Sequence, residues 1–418
     1  MPKFTTRQIN FNLFKNIYSM VDNYKITEKI KDKKHSIQFL PKSLLTLSTS
    51  DFIIYNNKKL KTAFLIDIIH NLLLRYYFKK ENRFNLSSII LKEKYGYIYN
   101  YYIDYLIETE KLILVRNYLI GKNTKVYKLN DNIINEQIIR YNNSNKKLLK
   151  SYANAVSILD NIDIAKNSIL PEVKHKIILD LFSVTIDYTK AMYYLNNTSQ
   201  DLDTLNKNKY SVDAISTQHI FYHFDDYGRV HTNFTILKSF IRKNCLFIDG
   251  EETCETDINN SQPLFLCKII DDNDCGFVNK EEFKLYKTLT INGNFYQYIM
   301  DNSNITDKRE CKETIYKILF GLNKNKDTDI IFKNLFPTIY NFILSYKQQY
   351  GNYKLLSHAL QIAESNFIFN KVIKSLMLIN PDIKIITIHD SIVYQSKYKD
   401  IVEHMFNSLL SKEFNYQN

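Results

Sequence analysis

The sequence predicts an α+β fold with antiparallel strand pairing, and three stretches carry this prediction. Residues 385–394 read Ile-Ile-Thr-Ile-His-Asp-Ser-Ile-Val-Tyr, and β-branched runs on both sides of a polar trio are typical of a hairpin. Thr256–Pro263 places Asp257 at the end of a short strand, where the chain turns into a helix. Residues 308–321 repeat basic and aromatic side chains every four positions, the spacing of one helix face.

Two of these stretches place an acid at the end of a strand. Asp390 lies with His389 and Ser391 at the bend of the hairpin, and Asp257 closes the other strand. One acid inside an apolar segment also occurs without any function. Two aspartates on strand ends are the minimum needed to hold a pair of divalent ions for phosphoryl transfer. The pair is therefore the candidate catalytic centre.

In this order the three stretches resemble motifs A, B and C of the family A DNA polymerases and of the related single-subunit phage-type RNA polymerases. The middle motif is the most specific, because five residues reproduce its spacing: Lys308, Lys312, Tyr316, Phe320 and Gly321. The resemblance covers about residues 219–418 and is closest to the small polymerases of virophages, transpovirons and phages. It implies a right-hand polymerase with an antiparallel palm sheet and helical fingers and thumb.

The resemblance implies two-metal nucleotidyl transfer, with Mg²⁺ as the ion and Mn²⁺ as its alternative. Asp257 and Asp390 would hold two ions, with the backbone carbonyl of Ile258 as a further ligand. Hard oxygen donors of this kind suit Mg²⁺. Lys308 and Lys312 would face the triphosphate, and Lys312 would also be catalytic.

The rest of the motif B helix is expected to bind the nucleotide and the template. Tyr316 would stack on the incoming base or sugar, Phe320 would mark the next template position, and Gly321 would complete the motif. Arg309 would replace Lys308 if the helix were rotated, although the spacing of four to Lys312 is then lost. The alternative is an ordinary half-buried helix.

Sugar choice depends on a few positions. Gln262 stands where the family's DNA enzymes carry Glu and its RNA enzymes carry Gly, so a bulky side chain there favours dNTPs. Phe320 and Tyr316 also favour DNA, because the RNA enzymes carry Tyr and Met at these places. Ser391 departs in the other direction, since RNA enzymes end motif C in His-Asp-Ser.

Three further residues are expected to contact nucleic acid. Gly228-Arg229 resembles the family's Gly-Arg element before motif A, where the arginine touches the primer or template backbone. Gln361 resembles the glutamine that contacts the template strand in the minor groove, and His389 of motif C is assigned to the same partner. A surface arginine after a glycine turn and a solvated glutamine are the alternatives.

The N-terminal part, residues 1–130, resembles a winged helix-turn-helix. Helical patterns at 63–78, 86–94 and 98–106 precede strands at 112–116 and 125–129. A basic wing with Arg116, Lys122 and Lys125 would lie against phosphates. A small helical module that packs against the rest is the open alternative.

Residues 131–218 are expected to be a thumb-like helical region. Residues 219–418 are expected to form the palm and fingers, with the fingers at about 280–355.

Composition bounds the partners and the compartment. The chain contains 56 Lys and Arg residues and 44 Asp and Glu residues, which gives a net charge of +12. A positive charge of this size favours nucleic acid as a partner. The codon bias of an AT-rich genome is an alternative cause of the many lysines. The five cysteines form no C-x-x-C pair and are odd in number, which argues against disulfides and zinc and for an intracellular setting. The absence of an 18-residue apolar run predicts no membrane partner.

We therefore expect a template-directed DNA polymerase that extends a primer 3′-hydroxyl with dNTPs and has no proofreading exonuclease. Its partners would be a DNA primer–template duplex and dNTPs, with a replication helicase or primase as a further candidate. The rivals are a single-subunit RNA polymerase and a non-enzymatic winged-helix replication initiator. Primer type, template preference and oligomeric state do not follow from the sequence.

An acidic stretch, residues 271–282, nearly fits a calcium-binding EF-hand loop. Cys275 occupies a position where an oxygen ligand is wanted. The stretch is therefore expected to be an acidic turn leading into the fingers.

Overall fold

A computed structural model describes residues 36–118, 124–150, 169–273, 276–322, 327–349 and 352–414. The chain is a mixed α+β protein with antiparallel sheets, so the predicted class is confirmed. The helices include α1 (Thr62–Lys79), α2 (Ser88–Tyr95), α3 (Tyr99–Glu108), α4 (Asp131–Ile134), α5 (Pro171–Leu181), α6 (Tyr188–Asn197), α7 (Leu202–Ser216), α8 (Asn233–Ile236), α9 (Ser239–Cys245), α10 (Ser261–Asn273), α11 (Lys280–Ile291), α12 (Phe295–Asp301), α13 (Lys308–Phe320), α14 (Asp327–Leu335), α15 (Pro337–Gln348), α16 (Leu355–Asn366), the π-helical segment Phe367–Ile373, α17 (Lys374–Ile379) and α18 (Lys399–Glu413). The strands include β1 (Ser36–Pro41), β2 (Phe52–Tyr55), β3 (Lys58–Lys61), β4 (Phe84–Asn85), β5 (Leu112–Arg116), β6 (Val126–Leu129), β7 (Ile138–Asn143), β8 (Val184–Ile186), β9 (Tyr222–Phe224), β10 (Val230–Thr232), β11 (Leu246–Ile248), β12 (Glu251–Asp257), β13 (Ile385–Ile388) and β14 (Ser391–Gln395).

The chain forms two compact units, each with its own hydrophobic core. The first unit takes the described residues within 1–163, 186–219 and 236–241, and the second takes those within 164–185, 220–235 and 242–418. The thumb-like region expected at 131–218 contributes to both units. Its described part contains strands β7 and β8 as well as helices, and β7 pairs with β1.

The first unit is built around α1, whose apolar side chains recur at helical spacing and are buried, among them Leu65, Ile69 and Leu73. The helices α2 and α3 follow, and the strands form a sheet in the order β4-β6-β5. These elements lie within a few residues of the helices and strands that the sequence indicates. The sequence does not predict β4, because a run of two residues is too short to show a strand pattern. Lys122 lies outside the described residues.

The second unit contains a five-stranded sheet in the order β13-β14-β12-β11-β8. Every residue of β13 and β14 is buried, which explains why this part of the sequence is continuously apolar. β11 and β12 are joined at Asp249 and Gly250, which both have positive φ, 50° and 78°. That geometry fits the Asp-Gly hairpin turn that the sequence indicates.

Helices pack in the same core as this sheet, and several of them contact one another through aromatic rings. Tyr286 lies in T-shaped contact with Phe295 and Phe336, at centroid distances of 5.1 and 5.2 Å. Such edge-to-face pairs stabilise the fold by more than the burial of the rings alone would do. Among the residues that the structure describes, no helix has the length and apolar character needed to cross a membrane.

Candidate functional site

The two candidate aspartates meet at one end of the second unit's sheet. β12 and β14 are antiparallel neighbours, and Asp257 is paired with Ser391. Ser391 in turn pairs with Ile388 of β13, so His389 and Asp390 form the two-residue turn of the hairpin. The strand register therefore places Asp390 next to the residue opposite Asp257.

The electrostatics of the two carboxyl groups are coupled. Burial raises the pKa of Asp390 to about 7, and the negative charges of Glu364 and then Asp257 act in the same direction. Asp257 is exposed at the strand end, yet desolvation by neighbouring protein atoms raises its pKa as well. The Ile258 amide and the Lys312 ammonium oppose this rise, and Glu255 and Glu364 add to it. Negative charge is thus concentrated where a cation would relieve it.

Glu364, on α16, links the residues around this centre. Its side chain is 1 % exposed. One carboxylate oxygen accepts hydrogen bonds from Arg229 Nε and Nη2, at 3.2 and 2.8 Å. The other oxygen accepts from Ser261 Oγ at 2.6 Å and from Gln262 Nε2. One buried acid therefore gathers the Gly-Arg element and the start of α10 beside Asp390.

Two residues of the predicted stripe on α13, Lys312 and Tyr316, lie close enough to the same acids to interact with them electrostatically. Lys312 Nζ lies 5.5 Å from the Tyr316 ring centroid, and the Tyr316 and Phe320 rings are 5.5 Å apart. Burial and then the negative charge of Asp390 raise the pKa of Tyr316 to about 12. Arg309 leaves the stripe, because its guanidinium pairs with Glu313 one turn along and is 87 % exposed.

The ends of α13 explain why it starts and stops where it does. Asp307 caps the N-terminus by accepting from the amides of Arg309 and Glu310. Lys308 is exposed in the first turn. Gly321 ends the helix, where a Cβ would lie 2.5 Å from the Lys317 carbonyl oxygen. The Gly of the sequence pattern is thus required by sterics.

No protein-family model matches this chain, and no curated protein matches it.

The donor set at the strand ends is compatible with Mg²⁺. Asp257 and Asp390 would supply carboxylates and Ile258 a backbone carbonyl, all hard oxygen donors. Mg²⁺ usually takes one or two protein carboxylates and completes its shell with water and substrate phosphates. Within the described ranges, no three His, Cys, Asp or Glu side chains converge closely enough to hold an ion by themselves. A two-carboxylate site that depends on substrate oxygens is consistent with this finding.

A histidine cluster adjoins the turn. His389 is exposed with φ of 56°, and its ring centroid is 6.4 Å from that of His231. His231 Nε2 lies 3.0 Å from an Asp225 carboxylate oxygen. Desolvation and the positive charge of Arg229 lower the pKa of His389, so the ring is neutral and able to accept or donate at physiological pH.

The remaining expected contact, Gln361, lies half-buried on α16, three residues before Glu364. Ser391 donates to Glu255 at 2.8 Å, and Glu255 lies 3.6 Å from Arg242. Ser391 is thus held by a carboxylate of the neighbouring strand.

Glu364, Glu255 and Ser261 are residues of this site that the sequence patterns do not single out. A signal for Glu364 exists, because Leu356, Leu360 and Glu364 follow one another at intervals of four on the buried side of α16. An acid in such a stripe indicates a buried charge with partners elsewhere in the fold.

The acidic stretch at 271–282 is used for structural contacts in its described part. Asp271 and Asp272 belong to the last turn of α10 and pair with Lys287 and Lys268, at 3.0 and 3.2 Å. Glu282 accepts from two amides at the start of α15. Cys275 lies outside the described residues. These contacts favour a structural role for the stretch.

Proposed function

We propose that this chain is a template-directed DNA polymerase of the family A type that adds dNTPs to a primer 3′-hydroxyl. The observation that carries the proposal is the β12–β14 register, which brings Asp257 and Asp390 together beside the Lys312–Tyr316 side of α13. In this proposal the five-stranded sheet is the palm, α11 to α15 are the fingers, and helices within 131–218 act as the thumb.

Each group of the site has a task in nucleotidyl transfer. Asp257, Asp390 and the Ile258 carbonyl would hold Mg²⁺, which when bound neutralises charge on the phosphates and polarises the attacking hydroxyl. Lys308 and Lys312 would neutralise the triphosphate, and Tyr316 and Phe320 offer ring faces for the base and template. Arg229, fixed by Glu364, would position the duplex backbone.

The test is primer extension with Mg²⁺ on a primed DNA template. We expect Asp257→Ala and Asp390→Ala to lower incorporation by at least roughly a thousandfold, because each removes a metal ligand. Asp272→Ala is the matched control, since it removes an exposed acid of α10 outside the site and should leave the rate unchanged. Incorporation that survives both strand-end substitutions would exclude the proposal.

The RNA polymerase rival is separated by sugar choice. Gln262 is buried and holds a fixed place next to Ser261, which favours exclusion of a 2′-hydroxyl and therefore dNTPs. A titration of dNTPs against NTPs, repeated with Gln262→Gly, tests this. We expect wild-type protein to prefer dNTPs and the variant to lose much of that preference. A wild-type preference for NTPs would favour the rival.

The order α1-β4-α2-α3-β5-β6, with the sheet order β4-β6-β5, supports a winged helix in the first unit. Arg116 and Lys125 are exposed at the wing, whereas α3 exposes Asp104 and Glu108, whose charges repel phosphates. We therefore propose DNA contact through the wing. Arg116→Ala with Lys125→Ala should weaken duplex binding and reduce its salt dependence, and unchanged binding would favour a purely structural module.

A further inference from the structure

The hairpin formed by β2 and β3, in the first unit, presents one of its faces to solvent. Its two-residue turn, residues 56–57, has positive φ at both positions, 45° and 57°, as a type I′ turn requires. Phe52 lies opposite Lys61. Two residues further, Ile54 lies opposite Lys59, and both pairs point to the same side because strand residues alternate in direction. All four of these side chains are exposed.

The other face fixes this hairpin to the rest of the first unit. Leu60 is fully buried, and the Tyr55 ring is in T-shaped contact with the Tyr105 ring at a centroid distance of 5.5 Å. The Tyr55 hydroxyl donates to Glu108, so the hairpin contacts two residues of α3. The β2–β3 hairpin therefore lies beside α3, which has the place of the recognition helix in a winged helix-turn-helix.

Cations and apolar side chains are interleaved on the exposed face. Phe52 is 42 % exposed and Ile54 is 66 % exposed. Lys59 Nζ lies 3.4 Å from the centroid of the Phe52 ring, which is a cation–π contact. A contact of this kind at an exposed site is weak, so the ammonium group can exchange the ring for a stronger partner.

Further lysines extend the positive charge around this face. Lys58 follows the turn and is exposed. Lys61 and Lys147 approach the same ring, that of Phe64, at 5.4 and 5.9 Å, so a lysine from a distant part of the chain joins the hairpin. In the part of the chain that the structure describes, no carboxylate forms an ion pair with Lys59 or with these three lysines. The residues that we call the β2–β3 surface are Phe52, Ile54, Lys58, Lys59, Lys61 and Lys147.

The chemistry of the β2–β3 surface suits a single strand of nucleic acid. Lysines without carboxylate partners favour a polyanion, because they neutralise its phosphates and release its counterions. Exposed apolar side chains between the lysines favour bases that are open to contact, as in a single strand, whereas a duplex keeps the faces of its bases stacked inside. Phe52 and Ile54 are too few apolar side chains to anchor the protein in a lipid surface.

We propose that the β2–β3 surface binds single-stranded nucleic acid with little dependence on base sequence. The lysines contact phosphates, and Lys59 leaves the Phe52 ring, whose free face then stacks on a base. Ile54 packs against a neighbouring base. The hairpin thus supplies cations that α3, which contains no lysine or arginine, lacks. No residue of the strand-end site belongs to this surface, so binding there does not depend on the polymerase proposal.

The experiment measures the Kd of the full chain for a labelled oligothymidylate of about 20 nucleotides by fluorescence anisotropy in chelator. The triple variant Lys58→Ala, Lys59→Ala, Lys61→Ala should raise Kd about tenfold at ~0.1 M salt. It should also lower the slope of log Kd against log salt concentration by about two, since three phosphate contacts are lost. Phe52→Ala should raise Kd about tenfold with an unchanged slope, because it removes stacking but no charge.

The matched control removes the same charge elsewhere in the first unit. Lys42, Arg83 and Lys92 are exposed and lie outside the β2–β3 surface, and their combined replacement by alanine should leave Kd within about threefold. A DNA duplex of the same length tests the preference for a single strand, because Phe52→Ala should leave duplex binding unchanged. Oligouridylate of the same length shows whether RNA is bound as well as DNA.

Several results would overturn the inference. An unchanged Kd in the triple variant would exclude the contact, and an equal loss in the control would assign binding to net charge alone. Equal losses of duplex and single-strand binding in Phe52→Ala would exclude base stacking. Lost binding to vesicles of equal phosphatidylserine and phosphatidylcholine, with oligothymidylate binding intact, would assign the surface to lipid. If the melting temperature shows that the triple variant is poorly folded, Phe52→Ala and Lys59→Gln, single changes at exposed positions, decide instead.

Discussion

At the scale of single residues, burial and neighbouring negative charges hold the carboxyl group of Asp390 in an environment that disfavours its ionised form. Its pKa is raised from 3.8 to about 7, so the folded protein binds this proton more tightly than the unfolded chain does. Without metal, stability is therefore lost as pH rises from about 4 through 7, and both states are ionised above that range.

Asp390→Asn should accordingly stabilise the metal-free protein at pH 8 by about 1 to 2 kcal/mol and have almost no effect at pH 4. The asparagine resembles the protonated acid and removes the repulsion from Glu364 and Asp257. Urea unfolding in chelator at both pH values measures the difference. Asp272→Asn is the control, and an equal gain at both pH values would contradict the explanation.

Gly228 offers a second residue-scale test. Its φ is 85°, and a Cβ there would lie 2.3 Å from the hydroxyl of Ser365, the residue after Glu364. Gly228→Ala should cost about 1 to 3 kcal/mol in unfolding free energy and lower primer extension, because it displaces the Arg229–Glu364 contact.

Gly293→Ala separates backbone strain from this steric clash. Gly293 has a φ of 74°, but no atom lies within 4 Å of the place that an added Cβ would take, so only the conformational cost applies. Equal losses of stability and activity in both variants would show that the approach to Ser365 is unimportant.

The residue scale also shows what the sequence can reveal. Asp390 can be found in the sequence because it interrupts an apolar run, and Asp257 because it closes a short strand where the chain turns into a helix. For Glu364 the helical spacing indicates only a buried acid, because the partners that explain its role, Arg229 and Ser261, lie more than 100 positions away in the chain. A helical acid has no recognisable role until its partners are known.

At the scale of elements, α13 depends on a cap from another helix. Lys347, on α15, is 5 % exposed and donates to the carbonyl oxygens of Ile318 and Gly321 at the end of α13. These carbonyls have no partner within their own helix. The spacing of four predicts where α13 lies. The residues near α13 in the sequence do not predict that Lys347 of another helix binds its last carbonyl groups.

Lys347→Met should therefore fray the last turn of α13 and cost about 1 to 3 kcal/mol, since it leaves buried carbonyls without a donor. Hydrogen exchange of amides at 317–321 in the intact chain measures the effect. Lys333→Met, in the exposed last turn of α14, is the control. Unchanged exchange in the Lys347 variant would show that water replaces the ammonium without loss.

At the scale of the whole molecule, the two units have separate cores, and we expect their stabilities to respond differently to acid. In the first unit His70 is buried and accepts a hydrogen bond from the Phe39 amide at Nδ1, 3.1 Å away. Burial lowers its pKa from 6.5 to about 4; Asp67 opposes this shift and Lys94 adds to it. The sequence does not predict the lowered pKa of His70, because a histidine in an apolar helix gives no sign of its protonation state.

Because the folded pKa of His70 is depressed, its contribution to stability is complete above pH 6.5 and is lost as pH falls towards 4. The first unit should lose about 2 kcal/mol between pH 7 and pH 5. Hydrogen exchange in α1, corrected for intrinsic rates, checks this in the full chain. His70→Gln should remove the dependence, and an unchanged pH slope in that variant would assign the loss to another group.

The chain passes back and forth between the two units, and this has a consequence for its synthesis. The fully buried residues of the first core all precede residue 150, whereas those of the second extend to Phe414. β12 leaves the ribosome more than a hundred residues before the hairpin that pairs with it. Asp257 therefore has no partner on β14 during much of translation, and the end of the sheet that carries Asp257 and Asp390 is among the last places to become ordered in the newly made polypeptide.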